Sequence, residues 1–161
     1  MDRMKLIREK VAEHGWFCTA VFPREGEDGG AFAYTTGFQQ TLAQPDVVMV
    51  GFDARLSHGV IASLHEGLRS RRLTIPAEGG LLNEVIREFP VKLVPVDPEI
   101  IGRFAYATVE FNGSEPTVMH QLVLPDPDGK FPGEAGVDER YERFQDIRAI
   151  LTEPDDEPRP N

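Results

Sequence analysis

The chain has 161 residues, of which 40% are apolar and 27% charged, and its formal net charge is −10. This length and balance are typical of one globular domain with a single core. Direct nucleic-acid binding is disfavoured, because a protein that binds a duplex neutralises phosphates with Lys and Arg, which are outnumbered here 17 to 27. A basic partner, or a surface adapted only for solubility, fits this charge better.

The sequence also indicates a compartment. No apolar run approaches the roughly 20 residues that a membrane helix needs. Residues 1–10 are charged throughout and have no apolar signal-peptide core. The single cysteine, Cys18, excludes an internal disulfide framework. We therefore expect a soluble, cytoplasmic protein that does not contact a membrane.

The N-terminal part of the sequence predicts one helix followed by three strands. Asp2 can cap the helix and Gly15 can end it, with apolar residues at helical spacing between them. Aromatic and β-branched residues predict strands over residues 16–22, 31–38 and 47–52. Short connections between these strands, including the charged, glycine-rich loop over residues 24–30, favour antiparallel pairing.

The rest of the sequence predicts further helices and two more strands. In chain order these are a helix opened by Ser57, a helix over residues 81–89, a strand over 91–96 with Pro95 at an edge or strand end, a helix from Asp97 to Phe111, a strand over 118–124, and a helix after Asp138. The predicted fold is α+β, a mixed, mainly antiparallel sheet packed by three to five helices. We expect the domain to span residues 1–152 and residues 153–161 to be a disordered acidic, proline-rich tail.

The sequence contains none of the common motifs for metal, nucleotide or nucleophile chemistry. His58 and His65 share a helix face but lie two turns apart, too far for a shared metal without a ligand between them. His120 is expected to be a half-buried strand residue. Cys18 has apolar neighbours, which favours a buried structural thiol over a reactive one. We expect no metal and no cofactor.

A tyrosine and two hydroxyls end the second strand at a glycine, as Tyr34, Thr35, Thr36 and Gly37. Because glycine allows close approach of the backbone, this strand end can form the floor of a ligand pocket. The alternative is a strand that finishes in a turn, with the Tyr34 hydroxyl satisfied locally.

The order of several short motifs resembles a bacterial family of proteins called domain of unknown function 4262. The motifs are His14-Gly15-Trp16, the strand over residues 32–38, Gln44-Pro45-Asp46, the segment over residues 121–126 with Gly129, and Phe131-Pro132. The resemblance covers residues 14–151. Three positions differ from the family pattern: Gln44 replaces a histidine, Gly133 a tryptophan, and Gln145-Asp146 a Gln-Pro. The resemblance implies a fold and a set of marked positions, and no reaction.

Two functional hypotheses follow. The preferred one is a binding or regulatory module whose acidic surface meets a basic protein or a small polar ligand. The other is a small enzyme or ligand-binding domain, with a cleft between the Tyr34–Gly37 strand end and the Gln121–Gly129 segment and with Asp126 as acid or base. The sequence leaves the oligomeric state open. The candidate binding residues are His14, Trp16, Tyr34, Thr35, Thr36, Gly37, Asp46, Gln121 and Asp126.

Overall fold

The computed structural model describes residues 2–23 and 30–151. Its six strands are β1 Phe17–Val21, β2 Phe32–Thr36, β3 Asp46–Val50, β4 Gly80–Leu82, β5 Val91–Pro95 and β6 Met119–Val123. Its six α-helices are α1 Arg3–His14, α2 Phe38–Leu42, α3 Ala54–Arg69, α4 Pro98–Ile101, α5 Tyr106–Asn112 and α6 Glu139–Phe144, followed by a 3₁₀ helix, Ile147–Ile150. The predicted tail and most of the predicted loop after β1 lie outside the described residues.

The strands form one sheet in the order β1-β2-β3-β6-β5-β4. Four of its five neighbouring pairs are antiparallel, and β3 with β6 is the parallel pair. A parallel pair needs a long crossover connection, and the chain supplies one through α3, β4, β5, α4 and α5. The predicted α+β class, with a mixed and mainly antiparallel sheet, is therefore confirmed.

Helices cover both faces of the sheet, so the two central strands are buried along their whole length. On one face α3 packs its apolar stripe of Ile61, Leu64 and Leu68 against Val47 and Met49 of β3. On the other face α1, α4 and α5 pack against Val48 and Val50. Alternate side chains of β3 thus enter opposite cores, as the pleat of a strand requires.

Local signals determine the ends of the longer helices. The Asp2 carboxylate accepts a hydrogen bond of 3.0 Å from the backbone N–H of Met4, and Gly15 ends α1 in the left-handed conformation. Helix α3 begins earlier than predicted. Asp53 caps it by accepting from the N–H of Leu56, and Ser57 lies buried within the first turn.

Two predicted helices are wrong in the structure. Residues 81–89 contain β4 and a series of bends, because Gly79 and Gly80 turn the chain and Glu84 adopts a φ of 71°. The predicted helix after Asp97 breaks into α4 and α5, and Phe104 at the break is buried in the core. The break lets the short α4 and α5 each pack on the sheet.

The other differences concern α2 and β5. Helix α2 was not predicted, and with the split helix it brings the described α-helices to six rather than three to five. Strand β5 lies between β6 and β4 and is not an edge strand, while Pro95 occupies its last position, as the alternative prediction had it. No helix among the described residues is long and apolar enough to span a membrane.

Candidate functional site

Tyr34 points from β2 into the core beneath α5. Its side chain is 2% exposed, and its hydroxyl oxygen accepts a 3.2 Å hydrogen bond from the backbone N–H of Ala107. Burial raises the pKa of the phenol above its ordinary value of 10.0. The ring lies beside a cavity of about 430 Å³ that Arg3 and Ile150 also line. Tyr34 therefore joins the sheet to α5, with one side turned to this cavity.

The hydroxyls of Thr35 and Thr36 belong to a buried polar network. Thr35 Oγ1 donates to Asp46 Oδ1 at 2.7 Å and accepts from the N–H of Val47 at 3.0 Å. Thr108 Oγ1, from α5, donates to the Thr35 carbonyl at 2.8 Å. That bond uses the Thr108 proton, so in the 3.0 Å contact between the Thr36 and Thr108 hydroxyls Thr36 is the donor. The network locks β2 to β3 and α5.

Asp46 caps a helix that has no cap of its own. Helix α2 begins after Gly37, which has no side chain, and Asp46 Oδ1 accepts a 3.0 Å bond from the N–H of Phe38. Only glycine fits at position 37, since φ is 107° and a Cβ would lie 2.9 Å from the Val11 side chain. The carboxylate is fully buried, and its Oδ2 has no hydrogen-bond partner in the described structure. Burial raises the pKa of Asp46 to about 7.

Asp126 organises the loop that follows β6. Its Oδ1 accepts from the N–H groups of Asp128 and Lys130, both at 2.9 Å, and its Oδ2 accepts from that of Asp138 at 2.8 Å. The bond from Lys130, followed by that from Asp138, holds the pKa of this carboxylate below its ordinary 3.8. Asp126 therefore ties the turn to the start of α6 through three hydrogen bonds that its carboxylate accepts from the backbone.

Gln121 lies in the same cross-sheet row as Tyr34, with Val48 between them. Two strand spacings separate them by roughly 10 Å. Gln121 Nε2 donates to the Gln145 carbonyl at 2.6 Å and lines a separate cleft of about 320 Å³. Ile147 of the 3₁₀ helix lines the cleft of Gln121, and Ile150 of the same helix lines the cavity of Tyr34. The predicted shared cleft is thus divided by the 3₁₀ helix.

Trp16 fills the space between two histidines of α3. Its indole stacks on His58 with ring centroids 5.3 Å apart and on His65 at 5.4 Å. Residues seven apart on a helix lie about 10.5 Å apart along its axis. The indole therefore sits between the imidazoles, in the place where a metal would need a further ligand. Burial lowers the pKa of His65 below 6.5.

His14 and Trp16 meet at a surface groove of about 480 Å³. The groove is lined by Lys10, His14, Trp16, Phe17, Cys18 and His58. Cys18 is half-buried, and burial raises the pKa of its thiol to about 11, so it stays protonated near neutral pH. The high pKa fits an unreactive thiol, but the predicted full burial is not observed, because Cys18 is half-buried and borders the groove.

The sequence-predicted site residues thus lie in separate places: the Tyr34 cavity, the Asp46 network, the Gln121 cleft, the Asp126 loop and the Trp16 groove. Sequence reasoning missed Thr108 and the role of Gln145, whose side-chain amide bonds both the N–H and the carbonyl of Leu124, at 2.8 and 2.9 Å. The resemblance marked Gln145, and that was the available signal. His120, expected to be half-buried, is 1% exposed and bonds the Pro76 carbonyl through Nε2. Within residues 2–23 and 30–151, no three His, Cys, Asp or Glu side chains are placed to hold a metal ion.

Most of these positions fall within the match to a single protein family. The model of the family described as domain of unknown function DUF4262 matches residues 10–138, most of the chain. The chain belongs to the DUF4262 family. Gly15, Trp16, Tyr34, Asp46 and Asp126 all fall inside the DUF4262 match, whereas α6 and the 3₁₀ helix follow it. No curated protein and no solved structure matches the chain.

Proposed function

We propose that this DUF4262 chain is a non-catalytic binding module that takes up a basic partner on an acidic surface. We define the acidic surface as the exposed carboxylates of residues 126–151: Asp128, Glu134, Glu139 and Glu142. This stretch holds seven acidic side chains against four basic ones. Two of the basic side chains, Arg140 and Arg148, are paired with Asp138 and Asp146 at 2.9 and 2.6 Å. A surplus of exposed carboxylates remains and attracts positive charge.

The observation that supports a non-catalytic role is the use made of the motif side chains. Asp126 accepts three backbone hydrogen bonds, and Asp46 is enclosed between β2 and α2. A general acid or base must reach a reacting atom in a pocket. These two carboxylates instead hold segments of the fold together. We infer that their role is to keep the neighbouring surface in its folded shape.

A small-ligand role is the second candidate, favoured by the cavity beside Tyr34. Its lining combines the charged side chains of Arg3 and Glu110 with the ring of Phe32. Polar groups converging on an apolar wall are typical of a small-molecule site. The Gln121 cleft lies across the 3₁₀ helix, so the ligand would contact Tyr34 and not Gln121.

The deciding experiment compares two variants with the same change in net charge. One carries Asp128→Asn, Glu139→Gln and Glu142→Gln on the acidic surface. The control carries Glu78→Gln, Glu99→Gln and Glu115→Gln at exposed positions elsewhere. Each variant is used to capture partners from its host, and each captured protein is then purified and titrated.

We expect a basic partner that binds the natural chain and the control equally, and the acidic-surface variant about tenfold more weakly. Its affinity should also fall as salt rises from low to physiological concentration. A partner that binds both variants alike, or with an affinity independent of salt, would falsify the proposal. A small molecule that binds the natural chain but not the Arg3→Gln variant would favour the second candidate.

A further inference from the structure

Strand β1 ends the sheet with one of its edges unpaired. It pairs with β2 along all five residues, and in the part of the chain that the structure describes no strand pairs with its other edge. In an antiparallel pair, successive residues direct their peptide groups alternately toward and away from the partner. The outer edge of β1 therefore offers a row of N–H and carbonyl groups over about 17 Å.

Residues 17–22 of this edge carry neither a charged side chain nor a proline, two of the features that usually prevent strand addition. Natural edge strands are protected by charged residues, proline, bulges or a covering segment. Residues 17–22 read Phe-Cys-Thr-Ala-Val-Phe, without a charge or a proline. Val21 and Phe22 at the end of the strand are 37% and 62% exposed.

The Trp16 groove lies along the same edge. Lys10 and His14 reach it from α1, which covers one face of the sheet, and His58 reaches it from α3, on the other face. Phe17 and Cys18, which point to opposite faces of β1, both line it. A groove lined from both faces of a sheet straddles its edge.

The lining of the groove has one lysine and two histidines, although the chain is acidic. Three of its lining side chains are basic and none is a carboxylate. The nearby carboxylate of Glu13 lies 3.6 Å from Lys10 Nζ and 3.6 Å from His14 Nε2. All three side chains are at least 42% exposed, so these contacts are weak. A carboxylate of a bound partner can therefore replace that of Glu13.

We propose that β1 accepts an extended, acidic segment of another protein as an added strand. Its main chain would pair with the outer edge of β1, and its carboxylates would lie against Lys10 and His58. Main-chain pairing supplies affinity in this mode, and the basic side chains select the sequence. This surface is separate from the acidic surface and extends the proposed function to a second partner.

The test uses the fluorescence of Trp16, the one tryptophan of the chain, which lines the groove. The probe is a synthetic peptide in which valine and glutamate alternate. Two N-methylated versions carry the methyl groups on the valines or on the glutamates. Each version blocks one edge of the peptide strand and leaves the other free.

We expect saturable binding of the unmethylated peptide, loss of about tenfold or more in affinity for one methylated version, and little change for the other. Lys10→Gln should weaken binding about threefold, whereas Lys5→Gln, an exposed position on the same helix, should not. Glu13→Gln should strengthen binding, because it removes the competing carboxylate.

Other outcomes overturn the proposal. Equal affinity for both methylated peptides would mean that the peptide binds through its side chains and not by main-chain pairing. Equal affinity for a peptide of alternating valine and lysine would contradict selection by charge, and no saturable change up to about 1 mM would contradict the site. A dimer in sedimentation that the peptide dissociates would assign the edge to a second copy of this chain.

Discussion

The Thr35 hydroxyl donates a 2.7 Å hydrogen bond to Asp46 Oδ1 in a region where neither side chain is exposed. The two residues lie on neighbouring strands, at the point where β2 turns into α2. One oxygen of the carboxylate thus has good partners, while the other has none in the described structure. A buried carboxyl in this position is easier to keep protonated than ionised.

Asp46→Asn should therefore reduce the pH dependence of stability. The pKa of Asp46 is about 7 in the folded chain and 3.8 ordinarily, so between these values the folded state holds more protons than the unfolded state. The free energy of unfolding consequently falls as pH rises through this range, by up to about 4 kcal/mol from this group. Asparagine keeps an acceptor for Thr35 and does not titrate.

Urea unfolding of both proteins between about pH 5 and pH 8 tests this expectation. The natural chain should lose stability relative to Asp46→Asn as pH rises. Two curves that stay parallel would show that Asp46 is ionised throughout the range, and the explanation by burial would then be wrong.

Asp126→Asn should lower the melting temperature by about 5 °C or more. The substituted amide has one oxygen for three backbone N–H groups, and its NH₂ group must face at least one of them. Asp128→Asn, at an exposed position in the same turn, is the matched control and should change the melting temperature little. A melting temperature unchanged by Asp126→Asn, together with a lost activity, would restore Asp126 as a catalytic candidate.

Two glycines should respond in opposite directions to alanine. Gly51 has a φ of 93°, and a Cβ there would overlap the backbone of Phe144, so Gly51→Ala should destabilise the fold by about 2 kcal/mol or more. Gly59 lies inside α3 with open space around it, and Gly59→Ala should stabilise the fold by about 0.5–1 kcal/mol. Chemical denaturation measures both changes. A small effect at Gly51 would mean that α6 does not rest on the end of β3.

Trp16→Ala should cost about 2–3 kcal/mol, and Trp16→Phe less than about 1.5 kcal/mol. Alanine leaves a void between His58 and His65, whereas phenylalanine retains a flat ring between the two imidazoles. Urea unfolding followed by circular dichroism gives both values, since the variants lack the tryptophan signal. Equal losses would indicate that the stacking contributes little.

The elements that the sequence predicted well are those with local signals. Helix α1 has its cap at Asp2 and its end at Gly15, and the strands of the first half are rich in β-branched and aromatic residues. Residues 81–89 misled the prediction, because an apolar spacing typical of a helix also allows a bent segment to place Val85 in the core. Helix α2 could not be predicted, because its cap comes from Asp46, beyond its own end.

The sequence singled out candidate positions but could not give the contacts that they make. The sequence singled out Tyr34 and Thr36, yet their partners Ala107 and Thr108 lie 73 and 72 residues away. No spacing rule reaches across such distances. The stacking of Trp16 on two histidines was equally hidden, because it depends on how β1 lies against α3.

The parallel pairing of β3 and β6 also has a consequence during synthesis. Asp46 pairs with Met119, which is 73 positions later in the chain. At about 5–20 residues per second, a ribosome delivers β6 roughly 4–15 s after β3. During that interval the meander of β1, β2 and β3 has an open apolar border. Until β6 is made, the edge of β3 that it will cover has no partner strand and is open to wrong pairing.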